Sequence, residues 1–193
     1  MTRVRRSQVP ANRIHLVVLC WALGAVGCQE EAPSAPATVA RVVADPPPPP
    51  NPYADTPSRF GTVPLHAGFS PDPRVVSGEA VGEIDARTVH RRCRGWISEV
   101  PDYLVEADTA FFQLYVLGRS RADISLVVRK PNGVVLCNDN RYGSRDPMVR
   151  GNFPIGSTQI WIGVKEQGAT ATYRLGFSEV KWKPSVLALP EPG

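Results

Sequence analysis

Apolar and polar residues alternate along the second half of the chain. Apolar residues occupy every second position from Ile124 to Val128, and the same period returns over residues 159–164 and 172–178. A period of two places apolar side chains on one face of a β-strand. Pro131-Asn132-Gly133 follows the first segment and predicts a tight reversal into a strand at residues 134–137.

Weaker strand signals extend this pattern towards the N-terminus, and no segment shows ten or more residues of helical periodicity. The weaker segments are residues 75–77, 82–85, 96–97, 103–106 and 111–117. About eight short strands predict an all-β fold, an antiparallel β-sandwich over residues 69–180.

Several motifs of this region resemble the bacterial pre-peptidase C-terminal domain. They are Asp123–Val128, Pro131–Gly133, Asn138-Asp139, Gly156–Thr158, Ile160–Ile162 and Tyr173–Leu175. The resemblance covers about residues 69–180 and implies a jelly-roll-like β-sandwich. Domains of this family are found beside secreted peptidases and on other exported proteins, and some members order loops with calcium.

The first 27 residues have the pattern of a secretory signal peptide. Four arginines lie in residues 1–13, and the uncharged run over residues 14–27 is too short to cross a bilayer as a helix. Small residues then lead directly into Cys28, which resembles the lipobox of bacterial lipoproteins. The resemblance implies that Cys28 is acylated and becomes the mature N-terminus. An ordinary signal peptide, with Cys28 incidental, is the alternative.

Removal of the signal peptide changes the charge of the protein. The whole chain has 22 Lys+Arg and 18 Asp+Glu, and its formal net charge is +4. Four of the basic residues and none of the acidic ones lie in residues 1–27, so the remainder is neutral. A neutral protein lacks the electrostatic basis for binding nucleic acid, and we expect no nucleic-acid partner.

The segment after Cys28 predicts a spacer between a lipid anchor and the folded domain. Residues 28–68 contain the run Pro46–Pro50, which favours an extended polyproline II conformation. A Pro-rich ligand for an SH3-like or WW-like module is the alternative. Gln29 stands where an Asp would retain a Gram-negative lipoprotein in the inner membrane, so the lipobox resemblance implies the outer membrane. Residues 181–193 predict a loosely ordered C-terminal tail.

Two cysteines remain for the domain, because one lies in the signal peptide and Cys28 is the acylation candidate. An exported domain meets an oxidising environment, which favours a disulfide between Cys93 and Cys137. Closure of a loop of about 44 residues contributes ~4 kcal/mol in the chain-entropy estimate. Zinc is disfavoured, because neither cysteine has a CxxC partner or a suitably spaced histidine. Trp96 is expected to pack over the disulfide.

The loop of residues 138–147 is the densest polar segment of the chain. Its candidate calcium ligands are Asn138, Asp139, Asn140 and Asp146. Calcium usually takes six to eight oxygens, and two arginines in the same loop repel a cation. The sequence therefore predicts weak calcium binding or none, and no other cofactor. The alternatives are a loop capped by its own Asn and Asp side chains, or a surface ion-pair cluster.

Trp161 lies between Ile160 and Ile162, so alternation places it on the opposite face from the isoleucines. If the isoleucines face the core, Trp161 is exposed. Together with Tyr142 or Arg174 nearby, it would then form a ligand-binding face.

No catalytic motif marks the sequence. His66 lies beside no carboxylate or serine motif, and His90 lies in the basic patch Arg87–Arg92. Neither GxSxG nor HExxH occurs. We therefore expect no enzyme. The predicted function is that of a membrane-anchored exported lipoprotein whose β-sandwich is a non-catalytic binding module for protein, peptide or glycan. The alternatives are a structural or accessory envelope lipoprotein without a small ligand, and an unrecognised hydrolase.

Overall fold

The computed structural model of the protein describes residues 56–140 and 143–189. The predictions on the signal peptide, on Cys28 and on the linker up to residue 55 lie outside these residues. The described part of the chain forms eleven β-strands and two short 3-10 helices. The strands are β1 Thr62–Leu65, β2 Arg74–Val81, β3 Ile84–Asp85, β4 Trp96–Ile97, β5 Tyr103–Ala107, β6 Phe111–Ser120, β7 Ile124–Arg129, β8 Val135–Asn138, β9 Met148–Phe153, β10 Gly156–Val164 and β11 Thr170–Ser178.

The strands form two sheets that pack together, and the predicted β-sandwich is confirmed. The first sheet has the order β1-β5-β10-β4-β3, with β7 on the other edge of β10 and β8 beyond β7. The second sheet has the order β2-β11-β6-β9. Every pairing is antiparallel except that of β1 with β5, so the first sheet is mixed.

Alternation along the long strands decides which side chains fill the space between the sheets. Ile160 and Ile162 of β10 face Tyr173 and Leu175 of β11 in one core cluster, and all four are fully buried. The predicted turn at residues 131–133 joins β7 to β8, and Gly133 takes φ 79°, which a glycine adopts without steric cost.

Two strands have no clear signal in the sequence, and both lie at sheet edges. Strand β1 contains Pro64, which removes a hydrogen-bond donor and is tolerated at an edge. Strand β9 contains polar and glycine residues instead of a clean alternation. Val63 and Leu65 are buried, so the folded region begins before Phe69, where the sequence analysis placed the start of the domain.

The C-terminal segment is packed on the second sheet, where the sequence predicted a loose tail. The second 3-10 helix spans Pro184–Val186, and Leu187 is 2% exposed among side chains on the outer face of β6 and β9. Arg119 Nη1 donates to the carbonyl oxygen of Leu187 at 2.6 Å. A Cβ at Gly176 would lie 2.8 Å from Leu187 Cδ2, so a larger residue there would force the Leu187 side chain to shift. Neither 3-10 helix of the described residues has the length or apolar character of a membrane span.

A buried carboxylate closes a gap in the first sheet. Strand β10 pairs with β5 up to Ile160 and with β4 only at Val164. Between these contacts, the Ile162 N–H donates to Asp102 Oδ2 at 2.7 Å, and the Asp102 N–H donates to the Ile160 carbonyl at 2.8 Å. The Asp102 side chain therefore takes the place of a strand carbonyl as the acceptor.

The charge of Asp102 is balanced by Arg59, which lies before β1. Its Nη1 donates to Asp102 Oδ1 at 2.8 Å and to the Glu79 carbonyl of β2 at 2.7 Å, so one guanidinium bridges the two sheets. Burial raises the pKa of Asp102 to about 6, while the Ile162 N–H and Arg59 act to lower it. The carboxylate is therefore ionised at neutral pH.

Candidate binding site

The chain between β3 and β4 folds over the outer face of the first sheet. The first 3-10 helix, Ala86–Thr88, begins after Asp85, whose carboxylate accepts from the Arg87 N–H at 2.8 Å. The Ala86 N–H donates to the Gly95 carbonyl at 3.0 Å and closes the base of the loop. Gly95 has φ 91°, and a Cβ there would lie 2.7 Å from Ser125 Oγ. Glycine at this position lets the loop approach β7.

This loop buries the outer face of β10 in a second, smaller apolar cluster. Trp161 is 4% exposed and lies in this cluster with Ile97, Val127 and Cys93. Trp161 lies on the face opposite Ile160 and Ile162, as alternation predicts. The prediction that it is exposed is wrong, because residues 86–95 cover that face.

A disulfide holds the loop against the sheet. Cys93 and Cys137 of β8 are bonded, with their Cα atoms 5.2 Å apart, so the predicted pairing is confirmed. Cys93 is 1% exposed, and both cysteines belong to the cluster around Trp161. Trp96 packs instead against the main core, so the tryptophan of the disulfide cluster is Trp161.

Basic side chains are concentrated on this loop. Between Asp85 and Glu99 the sequence has four arginines and one histidine and no acidic residue. The four arginines are exposed. Arg87 pairs with Asp85 through Nε–Oδ distances of 2.9 and 3.0 Å, and the arginine lowers the pKa of Asp85. Among the described residues, no carboxylate lies within ion-pair distance of the other three guanidiniums.

Two cavities border this basic loop. The first has a volume of about 580 Å³, and the basic residues of its wall are Arg87, Arg91, Arg92, Arg94 and Lys165. The second has a volume of about 470 Å³, and Arg91 and Arg92 line it together with His90 and residues 135–137. We call these two cavities and their basic side chains the arginine groove.

The histidines do not complete a catalytic arrangement in the described residues. His90 Nδ1 accepts from the Arg92 backbone N–H at 3.3 Å, which leaves this nitrogen engaged in the turn. His66 is exposed in the loop after β1. Neither imidazole donates to a carboxylate in the described residues, so the arrangement offers positive charge rather than an oriented base.

The predicted ligand face of Trp161, Tyr142 and Arg174 does not form one described surface. Trp161 is buried on the first sheet, whereas Arg174 is half-buried on β11 of the second sheet, where its register neighbours are Ser77 and Arg119. Tyr142 lies outside the described residues. The prediction placed Arg174 near Trp161, but β10 and β11 belong to different sheets.

The structure shows the surroundings of the four candidate calcium ligands in the loop of residues 138–147. Asn138 Oδ1 accepts from the Met148 N–H at 2.9 Å and so ties the two ends of the loop together. Asp139 and Asn140 line a cavity of about 350 Å³ that also contains Arg94. The Asp146 N–H donates to Ser144 Oγ at 3.3 Å. No group of three or more His, Cys, Asp and Glu side chains suited to a metal occurs in the described residues.

Two solved structures are similar to part of this chain. The pre-peptidase C-terminal domain of collagenase from Bacillus anthracis has 10% sequence identity and a TM-score of 0.41, covering 64% of this chain and 99% of its own. The Aeromonas hydrophila protein PliG, a periplasmic inhibitor of g-type lysozyme, has 12% identity and a TM-score of 0.33, covering 61% of this chain and 96% of its own. No protein-family model and no curated protein match the sequence. At these values, neither structure assigns a site or a function to this chain.

Proposed function

We propose that the protein is an exported lipoprotein, anchored to the cell envelope through Cys28, and that its β-sandwich is a non-catalytic binding module. The observation that supports binding is the arginine groove, where Arg91, Arg92 and Arg94 are exposed without an internal ion-pair partner in the described chain. A cleft lined by charges of one sign attracts ligands of the opposite sign, so three such charges beside a cavity favour an anionic external partner.

The disulfide supports the exported part of the proposal. Disulfides persist in oxidising compartments and are rare in the cytosol. The Cys93–Cys137 bond lies in a buried cluster rather than at an exposed redox position, which is consistent with a structural role in an exported protein. The partner is then an envelope or extracellular protein, peptide or glycan.

The anchor is tested by separating membrane and soluble fractions of cells that express the full chain. We expect the wild-type protein in the membrane fraction and the Cys28→Ala variant in the soluble exported fraction. Cys28→Ser serves as a second variant, because serine keeps the polarity and cannot carry a thioether-linked lipid. Membrane attachment of both variants would overturn the proposal of an anchor at Cys28.

The binding function is tested by capture of envelope components on the immobilised full chain. Arg91→Gln/Arg92→Gln removes two charges from the groove, and Arg74→Gln/Lys181→Gln removes two exposed charges elsewhere. We expect the wild type and the Arg74/Lys181 variant to retain the same component and the groove variant to lose it. Equal capture by all three proteins would show that the groove is not the binding surface.

A further inference from the structure

We infer that the arginine groove binds a glycan that carries phosphate or sulfate groups. This inference rests on the proposed binding function and adds the class of ligand. The observations that carry it are the chemistry of the exposed guanidiniums, the shape of the two cavities, and the composition of their walls.

Arginine is suited to phosphate and sulfate. Its planar guanidinium stays charged at every physiological pH and donates two parallel hydrogen bonds to an oxyanion. Arg91, Arg92 and Arg94 are consecutive basic positions interrupted only by Cys93, which is 1% exposed and bonded to the half-buried Cys137. The loop backbone is therefore fixed while the three guanidiniums remain in solvent, so an arriving anion displaces no internal partner.

The cavities extend the site beyond a single anion. Arg91 and Arg92 line both of them, so the two spaces adjoin at these side chains. Volumes of about 580 and 470 Å³ each lie in the range of small-ligand sites. Lys165 adds a cation to the first cavity, and His90 lies in the second. A ligand with several anionic groups spaced along a chain matches this arrangement better than a free single anion.

The walls favour a polar ligand over a protein. Protein interfaces combine arginines with aromatic or aliphatic anchors that insert into a partner. The apolar residues of the cavity walls, Trp96, Val135 and Leu136, are half-buried and offer no such protruding anchor. The large apolar side chains exposed in the described structure all lie outside the loop of residues 86–95. They are Phe60, Val75, Phe112, Val134, Ile155, Val180, Trp182 and Val186.

The walls also disfavour a single-stranded nucleic acid. Such ligands stack successive bases on several aromatic side chains. Trp96 is the one aromatic residue of the first cavity, and the second cavity has none apart from the His90 imidazole. A glycan does not require a row of aromatic side chains, and its hydroxyl groups can form hydrogen bonds with the backbone of the loop.

The electrostatics of the neighbouring space define where the anion lies. The cavity of about 350 Å³ next to Arg94 and Lys165 includes Asp123 and Asp139, whose carboxylates repel an anion. The first cavity has one carboxylate, Asp85, and it is already paired with Arg87. We therefore place the phosphate or sulfate groups on the Arg91–Arg92 side of the loop.

The same chemistry occurs in a free anionic polysaccharide and in the headgroup of a phosphorylated membrane glycolipid. Titration of the full chain in non-ionic detergent with a sulfated heparin oligosaccharide measures the first. Sedimentation of the full-length Cys28→Ala variant, which has no lipid anchor, with phosphatidylcholine vesicles with and without a bisphosphorylated glycolipid measures the second. A desulfated heparin oligosaccharide and a single-stranded DNA oligonucleotide of similar length are the controls for charge and for ligand class.

We expect sulfated heparin or glycolipid vesicles to bind, the desulfated oligosaccharide not to bind, and DNA to bind more weakly. Arg91→Gln/Arg92→Gln should raise the dissociation constant at least tenfold, and Arg74→Gln/Lys181→Gln should change it less than twofold. The stronger of the first two arms identifies the source of the anion. Stronger binding of DNA, or equal effects of the two double variants, would overturn the inference.

The failure of this inference is distinguishable from failure of the proposed function. If no anionic probe binds the wild type while capture of an envelope component still depends on Arg91 and Arg92, the groove binds another class of ligand and only the inference is wrong. If neither the binding of an anionic probe nor the capture of an envelope component depends on Arg91 and Arg92, both proposals fail.

Discussion

Replacement of Asp102 tests the electrostatics of the junction between β4 and β5. Asp102→Ala removes the acceptor of the Ile162 N–H and the carboxylate partner of Arg59, which keeps the Glu79 carbonyl as an acceptor. Removal of one partner of a buried ion pair typically lowers the free energy of unfolding by about 3–5 kcal/mol. Asp102→Asn keeps one oxygen that can accept from the Ile162 N–H. The decrease in the free energy of unfolding at pH 7 should therefore be smaller for Asp102→Asn than for Asp102→Ala.

The pH dependence gives the sharper result. Burial raises the pKa of Asp102 to about 6 in the folded protein, against about 3.9 for an aspartate in an unfolded chain. Between these values the folded state binds a proton that the unfolded state does not, so this group makes the protein less stable as the pH rises from 4 to 7. A difference of about two pKa units corresponds to about 3 kcal/mol.

The assay is urea unfolding between pH 4 and pH 8, followed by tryptophan fluorescence. Other titrating groups contribute equally to wild type and Asp102→Asn, so their difference isolates this carboxylate. We expect the advantage of the wild type to decrease by about 2 kcal/mol from pH 4 to pH 7, because an unfolded aspartate is already about half ionised at pH 4. The exposed carboxylate of Asp108 provides the control variant Asp108→Asn, which should run parallel to the wild type. If the difference in unfolding free energy between wild type and Asp102→Asn did not change with pH, or changed in the opposite direction, burial would not outweigh Arg59 in setting the pKa of Asp102.

Four further predictions concern the loop of residues 86–95, the C-terminal segment around Leu187, and calcium binding. Cys93→Ser should lower the free energy of unfolding by about 4 kcal/mol, and native protein should titrate no free thiol from this pair. Trp161→Ala should cost about 3–5 kcal/mol in urea unfolding, because the indole is buried in the loop cluster. Gly176→Val should expose the chain around Leu187 to limited proteolysis. Millimolar calcium should leave the melting temperature nearly unchanged, since a ligand near its dissociation constant adds only about 0.4 kcal/mol.

Each of these has a result that contradicts it. Two free thiols in the native protein would exclude the disulfide, and an unchanged stability of Trp161→Ala would show that the loop does not cover the tryptophan. Equal proteolysis of wild type and Gly176→Val would show that Leu187 is not held in its pocket. A calcium shift of many degrees that Asp139→Ala abolishes would make the polar loop a metal site.

The central strands could be predicted from the sequence because their periodicity reports burial directly. Ile160 and Ile162 have one face in the core, and period two shows it. Edge strands carry a weaker signal, because one side of the backbone and often one face meet solvent. Pro64 in β1 illustrates this, since the residue that argues against a central strand is compatible with an edge.

The error on Trp161 has a different origin. Alternation assigns a residue to a face of its own sheet, and it contains no information on what lies above that face. In this fold a loop from elsewhere in the chain covers the outer face of β10, and the sequence near Trp161 cannot show it. The predicted disulfide implies this cover, because a bond from Cys93 to β8 requires the loop to lie over that face.

The basic residues of the candidate site are visible in the sequence, but the sequence does not predict that they line a groove. A run with four arginines and no acidic residue from position 86 to 98 is visible on inspection, but in an isolated strand or helix it is only a solvated surface. The disulfide changes its significance, because it fixes the backbone between Arg92 and Arg94 while the buried cluster beneath supplies the stability. The loop thus separates two tasks along one segment, with apolar residues directed to Trp161 and guanidiniums directed to solvent. That separation is what allows a locally basic groove although residues 28–193 have no net formal charge.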